Sequence, residues 1–290
     1  MPSRYQVDAN SHCEHRFHSM TPPATSGHSS LEALKKLQMG AHYCFSSKQF
    51  EQLTGRGTLA ARSALVRLHA QGIIASAARG SGLWLIVPPE HADRGAPPVL
   101  WWLHDFLSQK EESYQLALLS AAQAHGSSHF AVLETQVFVP ASRRVLEVGP
   151  FRLRFFVKQS LAQSPTVTLP TEKSRVRVSS IATTLLDLLR HAPAIGGVER
   201  VSLILGDLAP KLDLDDITES LEAATDVAAA QRLGYLLDLH GHTRQAGRVE
   251  KWLRPLRTQR ARLDTSSPSD GGQVAHRWNI VVNTNLESIA

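Results

Sequence analysis

Residues 29–90 constrain this chain more than any other stretch, because apolar spacing and chain breakers follow one another there in a fixed order. Ser29 or Ser30 can cap a helix whose apolar stripe is Leu31, Leu34 and Leu37. Ser46 or Ser47 can cap a second, from Lys48 to Leu53. Gly55 and Gly57 break the chain, and a third helix is predicted from Thr58 to Gln71, stopped by Gly72. Ile73–Ser76 reads as a short strand, Arg79-Gly80-Ser81-Gly82 as a turn, and Leu83–Val87 as a second strand that Pro88-Pro89 ends. Helix, helix, helix, strand, turn, strand is the order of a winged helix-turn-helix, whose third helix buries one face and offers the other to a major groove.

On that third helix Ala61, Leu65 and Leu68 recur at helical spacing and form the expected buried face. Thr58, Arg62, Ser63 and Arg67 fall largely outside that stripe. The hydroxyls suit phosphate or base edges, and the arginines suit guanine. Arg56 precedes the helix, where backbone N–H groups favour a phosphate. Arg79 sits at the wing turn, and Lys48 adds charge on the second helix. Seven Lys/Arg oppose three acids between residues 29 and 90, so this segment carries +4 of the chain's net +5. The bland alternative is a winged helix used for protein contacts. The arginines favour DNA, with Lys48, Arg56, Thr58, Arg62, Ser63, Arg67 and Arg79 as the expected contacts.

The chain has 290 residues, a length for about two domains. Residues 1–28 are rich in Ser, His and Pro and predict a disordered tail. Its His12, Cys13, His15 and His18 match no zinc spacing, so no metal is expected. Residues 29–90 are the winged helix, 91–100 a Pro-containing linker, and 101–290 a larger mixed domain. That domain is predicted to open with a long helix from Trp101 to His125, interrupted near Gln109. Strands follow at Phe130–Pro140, Arg144–Val148, Arg152–Val157, Thr166–Leu169 and Arg175–Val178. Helices follow at Ile181–Leu189, Val198–Leu208 and Asp215–Leu239, with a strand at Trp278–Val282. The fold class is therefore α+β, an N-terminal winged helix-turn-helix followed by a larger mixed α/β domain. Two cysteines make no disulfide framework, no apolar run is long enough to span a membrane, and no secretory signal opens the chain. A cytoplasmic protein is expected.

The larger domain carries phrases of a known family. They are Tyr114–Gly126 (YQLALLSAAQAHG), Ser128–Val137 (SHFAVLETQV), Val178–Leu189 (VSSIATTLLDLL) with Gly196-Gly197-Val198, and Gln231–Asp238 (QRLGYLLD). Their order resembles the AbiEi family of antitoxins over residues 40–285, the winged helix included. The resemblance implies a type IV AbiE-like toxin–antitoxin pair associated with phage defence. It implies a repressor that binds inverted repeats in its own promoter, two copies on the DNA, and a C-terminal domain that counters a nucleotidyltransferase-like toxin. The longer His-rich tail and Cys44-Phe45-Ser46 depart from the family pattern.

Beside the resemblance, Arg152 and Arg154 are two apart, as are Lys173, Arg175 and Arg177, so each set points to one face of a strand. Phe151, Leu153 and Phe155 take the other face, and Arg143, Arg144 and Lys158 extend the basic one. Arg244–Arg262 is a second basic element. The readings are a solvated face or a nucleic-acid or phosphate surface serving the antitoxin function.

No enzyme is expected. The only acids in residues 130–158 are Glu134 and Glu147, and neither begins an acid-x-Lys metal motif. No Walker A, Rossmann or nucleophile-elbow pattern occurs, so no cofactor is expected. Asp187 and Asp238 read as caps or surface residues, and His125 with His129 as scaffold. The alternative is a stand-alone winged-helix regulator whose C-terminal domain senses a ligand or another protein.

Overall fold

The computed structural model describes residues 29–109, 113–127, 132–268 and 272–286. The tail 1–28, with His12, Cys13, His15 and His18, and residue His129 lie outside them. The class is α+β, with a mainly helical N-terminal unit before a larger mixed domain. The unit comprises α1 (Ser30–Met39), β1 (Cys44–Ser46), α2 (Ser47–Thr54), α3 (Thr58–Ala70), β2 (Ile74–Ser76) and β3 (Leu83–Ile86). Ser29 caps α1 in a capping box with Glu32, and Ser46 caps α2 in another with Gln49. Gly55 closes α2 at φ 63, a left-handed conformation that a Cβ disfavours, and so turns the chain into α3. β1 is a strand the spacing does not announce, since three residues carry no period. It pairs antiparallel with β3, giving the order β1-β3-β2.

A 3-10 turn (Pro89–Arg94) leads to α4 (Val99–Ser108). Next come β4 (Gln115–Leu116), α5 (Leu118–Ala124), β5 (Thr135–Val139), β6 (Leu146–Val148), β7 (Phe151–Val157), β8 (Thr166–Pro170) and β9 (Arg175–Ser179). Helices α6 (Ile181–Arg190), α7 (Ala192–Ile195), α8 (Val198–Leu208), α9 (Leu214–Ala224), α10 (Val227–Leu239) and α11 (Thr243–Leu253) follow. Three short strands end the chain: β10 (Ala261–Arg262), β11 (Gln273–Ala275) and β12 (Ile280–Val282), in the order β10-β12-β11.

The large sheet runs β6-β7-β5-β4-β9-β8, with β5–β7 and β4–β9 parallel and the other neighbours antiparallel. Its two faces are both covered. Val137, Val139, Leu153, Val176 and Val178 join one core, which continues through Trp101, Trp102 and Phe106 of α4 into Phe45, Leu65 and Leu85 of the N-terminal unit. Phe138 points the other way, into the core of α5–α11. That two-sided burial explains why three successive residues of β5, Val137, Phe138 and Val139, are all apolar. Within the expected linker, Ala96, Pro97 and Val99 are buried. Asp105 of α4 accepts from His42 Nδ1 at 3.1 Å and from the Tyr43 backbone N–H at 3.2 Å, tying α4 to the N-terminal unit.

Two helical expectations are corrected. Trp101–His125 is not one helix: beyond Ser108 the chain enters β4 in the middle of the sheet before α5 begins. Tyr114-Gln115-Leu116-Ala117 is too short for its period to separate helix from buried strand. Gln115 survives in that interior because its amide donates to the Leu161 carbonyl at 2.9 Å and its oxygen accepts from Ser179 Oγ at 3.1 Å. Asp215–Leu239 is two helices: Thr225 is left-handed, and Asp226 caps α10 through the Ala229 N–H. Among the described residues no helix is long and apolar enough to cross a membrane.

Candidate nucleic-acid interface

Helix α3 buries Ala61, Ala64, Leu65 and Leu68 against the N-terminal core. Thr58, Arg62, Ser63 and Arg67 are exposed, as are Lys48 on α2 and Arg79, while Arg56 is half-buried in the turn before α3. Among the described residues no carboxylate lies within ion-pairing distance of Lys48, Arg56, Arg62, Arg67 or Arg79. One acid, Glu51, touches this surface, accepting from Thr58 Oγ1 at 3.4 Å. Gly57 begins α3 without a side-chain cap, so the first N–H groups of the helix take no partner from it.

The hairpin is fastened to α2. Ser47 Oγ accepts from Trp84 Nε1 at 3.0 Å and donates to the Gly82 carbonyl at 3.3 Å. In the turn, Ser81 Oγ donates to the Ala78 carbonyl at 2.7 Å, and Gly80 and Gly82 take positive φ. The His69 ring meets the Ile74 carbonyl at 3.0 Å and stacks edge-on to Trp84, fixing the end of α3 to β2 and β3. Ser47, Trp84 and His69 therefore set where Arg79 stands relative to Arg62. The Ser47–Trp84 contact joins residues 37 apart in sequence, which residue spacing does not express.

The basic strand residues meet different surroundings. Pairing registers put Arg152, Arg154, Arg175 and Arg177 on the same face of the sheet as Phe138, but β5 and β4 separate the two pairs. Arg152 and Arg154 share Glu134, at 3.5 and 3.3 Å, and Arg152 also reaches Glu147 at 3.9 Å. The Arg154 guanidinium lies 5.1 Å from the Phe156 ring centre. Arg177 donates to Thr166 Oγ1 at 3.2 Å, and Arg175 is exposed. Lys173 leaves this face: in the β8–β9 turn it pairs with Glu172 at 3.8 Å and lies 5.7 Å over Trp101. Below β9, Tyr114 accepts from the Arg177 N–H and meets His104 of α4, and burial pushes its phenol up to about 12.

Lys158 is not an outer-face cation, nor is Asp187 a cap or surface acid. They form a buried ion pair, Nζ–Oδ2 2.6 Å, with both side chains 5% exposed. Phe138 lies 5.0 Å from the ammonium, and the His191 ring packs on Phe138 and Phe156. Burial pushes the Asp187 carboxyl up, against the pull of Lys158, and burial lowers His191. A cavity of about 420 Å³ opens beside the pair, lined also by Gln159, Ser160 and Arg190. Asp238 accepts from Arg277 at 2.7 Å and from Trp278 Nε1 at 2.7 Å. Trp278 lies over Gly234, where an added Cβ would collide with the ring. The Gly-Tyr-Leu-Leu-Asp phrase on α10 is thus the seat of Trp278. His125 bonds the Ser179 carbonyl at 2.7 Å, and among the described residues no group of three or more His, Cys, Asp or Glu could hold a metal ion.

The fold is shared with a crystal structure of the RV2827C protein from Mycobacterium tuberculosis. The TM-score is 0.61 at 18% identity, over 87% of this chain and 90% of that one. No curated protein matches the chain. Residues 115–239 match the family model of the AbiEi antitoxin C-terminal domain. That stretch runs from β4 to the end of α10, and so takes in the Lys158–Asp187 pair and the Gly234 seat. Over these residues the chain carries an AbiEi antitoxin C-terminal domain.

Proposed function

We propose that the chain is the antitoxin and autorepressor of a type IV AbiE-like toxin–antitoxin pair, a phage-defence system, acting in the cytoplasm. In this reading residues 29–90 are a winged helix-turn-helix that binds inverted repeats in its own promoter as two copies. The C-terminal domain neutralises a nucleotidyltransferase-type toxin. The observation that carries the DNA half is α3. One face is buried, and the other exposes Arg62, Ser63 and Arg67, with Arg79 of the hairpin and Lys48 of α2 exposed in the same unit. Cations at both margins of an exposed helix face suit the two phosphate strands that border a major groove. The uncapped start of α3, beside Arg56 and Thr58, suits a phosphate. The antitoxin half rests on the family domain and on Arg152, Arg154, Lys173, Arg175 and Arg177, of which Arg175 and Arg177 are the pair no carboxylate holds among the described residues.

The test is fluorescence anisotropy on a labelled duplex from the chain's own upstream region, against a scrambled duplex, at two salt concentrations. Tighter binding to its own DNA, weakening with salt as several phosphate contacts require, is the expected result. Equal binding to both would remove the repressor role. A second reading, a regulator that senses a small ligand, is favoured by a cavity of about 590 Å³ between α4 and the sheet, lined by Trp101, Leu116, Phe151, Leu169 and Val176.

A further inference from the structure

Leu59 and Val66 are large apolar side chains left 82% and 57% exposed on α3. At 3.6 residues per turn, Leu59, Ser63, Val66 and Ala70 form one stripe, directly opposite the buried Ala61, Ala64, Leu65 and Leu68. All four stripe residues are exposed. Arg62 borders the stripe on one side and Arg67 on the other. The part of α3 that protrudes furthest is therefore apolar and small, with one hydroxyl, and the cations stand at its margins.

Exposing Leu and Val to water is unfavourable, and a free helix surface has no need of them. Their occupant must be apolar at the centre and anionic at both margins. Duplex DNA meets that description at one kind of base: the thymine C5-methyl is the apolar group on the major-groove edge, and phosphates flank the groove. A groove about 12 Å wide admits a helix with its side chains. The N-terminal part of a recognition helix reaches base edges first, which is where Leu59 stands.

Resting on the DNA reading above, we infer that Leu59 and Val66 read thymine methyl groups and that Ser63 between them bonds a base edge. Arg62 and Arg67 then grip at the margins, and the operator half-site carries thymine beneath Leu59.

The test uses the full chain and its own upstream duplex, amplified with either dTTP or dUTP. Uracil pairs as thymine does and lacks only the methyl. The wild type should bind the thymine duplex tighter, on the order of four-fold for each methyl covered. Leu59→Ala should lose most of that preference, while Arg62→Ala should weaken binding to both duplexes and keep it. Leu59→Ala exchanges an exposed side chain for a better helix former, so its thermal unfolding should match the wild type. Equal wild-type binding to the two duplexes, with its own sequence still preferred over a scrambled one, would overturn this inference and leave the DNA reading standing. A Leu59→Ala chain that keeps the full thymine preference would also overturn it. Loss of self-association in Leu59→Ala, with the two duplexes bound equally, would assign the stripe to a second copy. No preference for its own over scrambled DNA would fell the DNA reading itself.

Discussion

Arg62 and Arg67 on α3 and Arg152, Arg154 and Lys158 along β7 and at its end are all cations that residue spacing turns away from an apolar stripe, but they end in opposite surroundings. The α3 arginines stand in water, with no carboxylate in reach among the described residues. On β7, Arg152 and Arg154 are held by Glu134, and Lys158, next on the same face after Phe156, is buried against Asp187. An unpaired surface cation retains its attraction for an incoming phosphate. A paired one has already spent part of it, and a buried one serves the fold. The difference comes from what packs beside each element. Solvent faces α3, while α6 brings Asp187 down onto the end of β7.

The sharpest way to break this comparison is at Lys158. Asp187→Asn leaves an ammonium buried without its counter-charge and should cost about 3–5 kcal/mol. The double variant Lys158→Met/Asp187→Leu should be much less destabilised than either single one, because it removes both charges. Urea unfolding of the single and double variants measures this. Additive losses would mean the two groups do not act as a pair.

Next in size is Arg62→Ala, which removes a charged contact at the helix margin and should weaken binding to the chain's own duplex by about 1–3 kcal/mol and to random DNA about as much. A loss confined to its own duplex, read by anisotropy, would make Arg62 a base reader instead of a phosphate contact. Gly234→Ala should destabilise by a similar amount, about 1–3 kcal/mol, because a Cβ there meets the Trp278 ring. Its thermal unfolding would drop while the DNA affinity of the remaining folded protein stays unchanged.

The pairs on β7 give a smaller effect. Glu134→Gln should cost no more than about 1 kcal/mol, as expected for surface ion pairs whose arginines are half-exposed. If Arg152 and Arg154 serve the antitoxin, freeing them this way should leave toxin neutralisation intact or improve it. Charge reversal at Arg175 and Arg177 should abolish neutralisation and spare repression, as read by a growth-rescue assay beside a promoter reporter.

The gentlest probe is pH. Burial lowers His125, His191 and His240 from 6.5. As pH falls below 6.5 the unfolded chain takes up protons that the folded chain refuses, so stability should fall with pH in that window. Asp187, raised from 3.8, acts with the opposite sign closer to its own range. Melting temperatures between pH 7.5 and 5.5 would show the direction.

Much of the fold was legible in the chain. Caps at Ser29 and Ser46, the breakers Gly55 and Gly72, and the period of Ala61, Leu65 and Leu68 placed three helices and the hairpin within a residue or two of where they stand. Those signals are local: each depends on neighbours within one or two turns. Strands β5 to β9 and β12 of the second domain were legible for the same reason, because alternation needs only two residues. β1, β4, β10 and β11 were not, being two or three residues long and defined by the strands they pair with.

The sequence by itself determined which residues could lie on one face: Leu59 with Ser63, Arg152 with Arg154, Gly234 in a helix with Asp238. The tertiary structure decided what each face meets. It set Glu134 between two arginines, Asp187 on Lys158 and Trp278 on Gly234, at separations of 18 to 44 residues. Period along a chain is a property of backbone geometry, whereas charge compensation and close approach belong to pairs that only folding brings together.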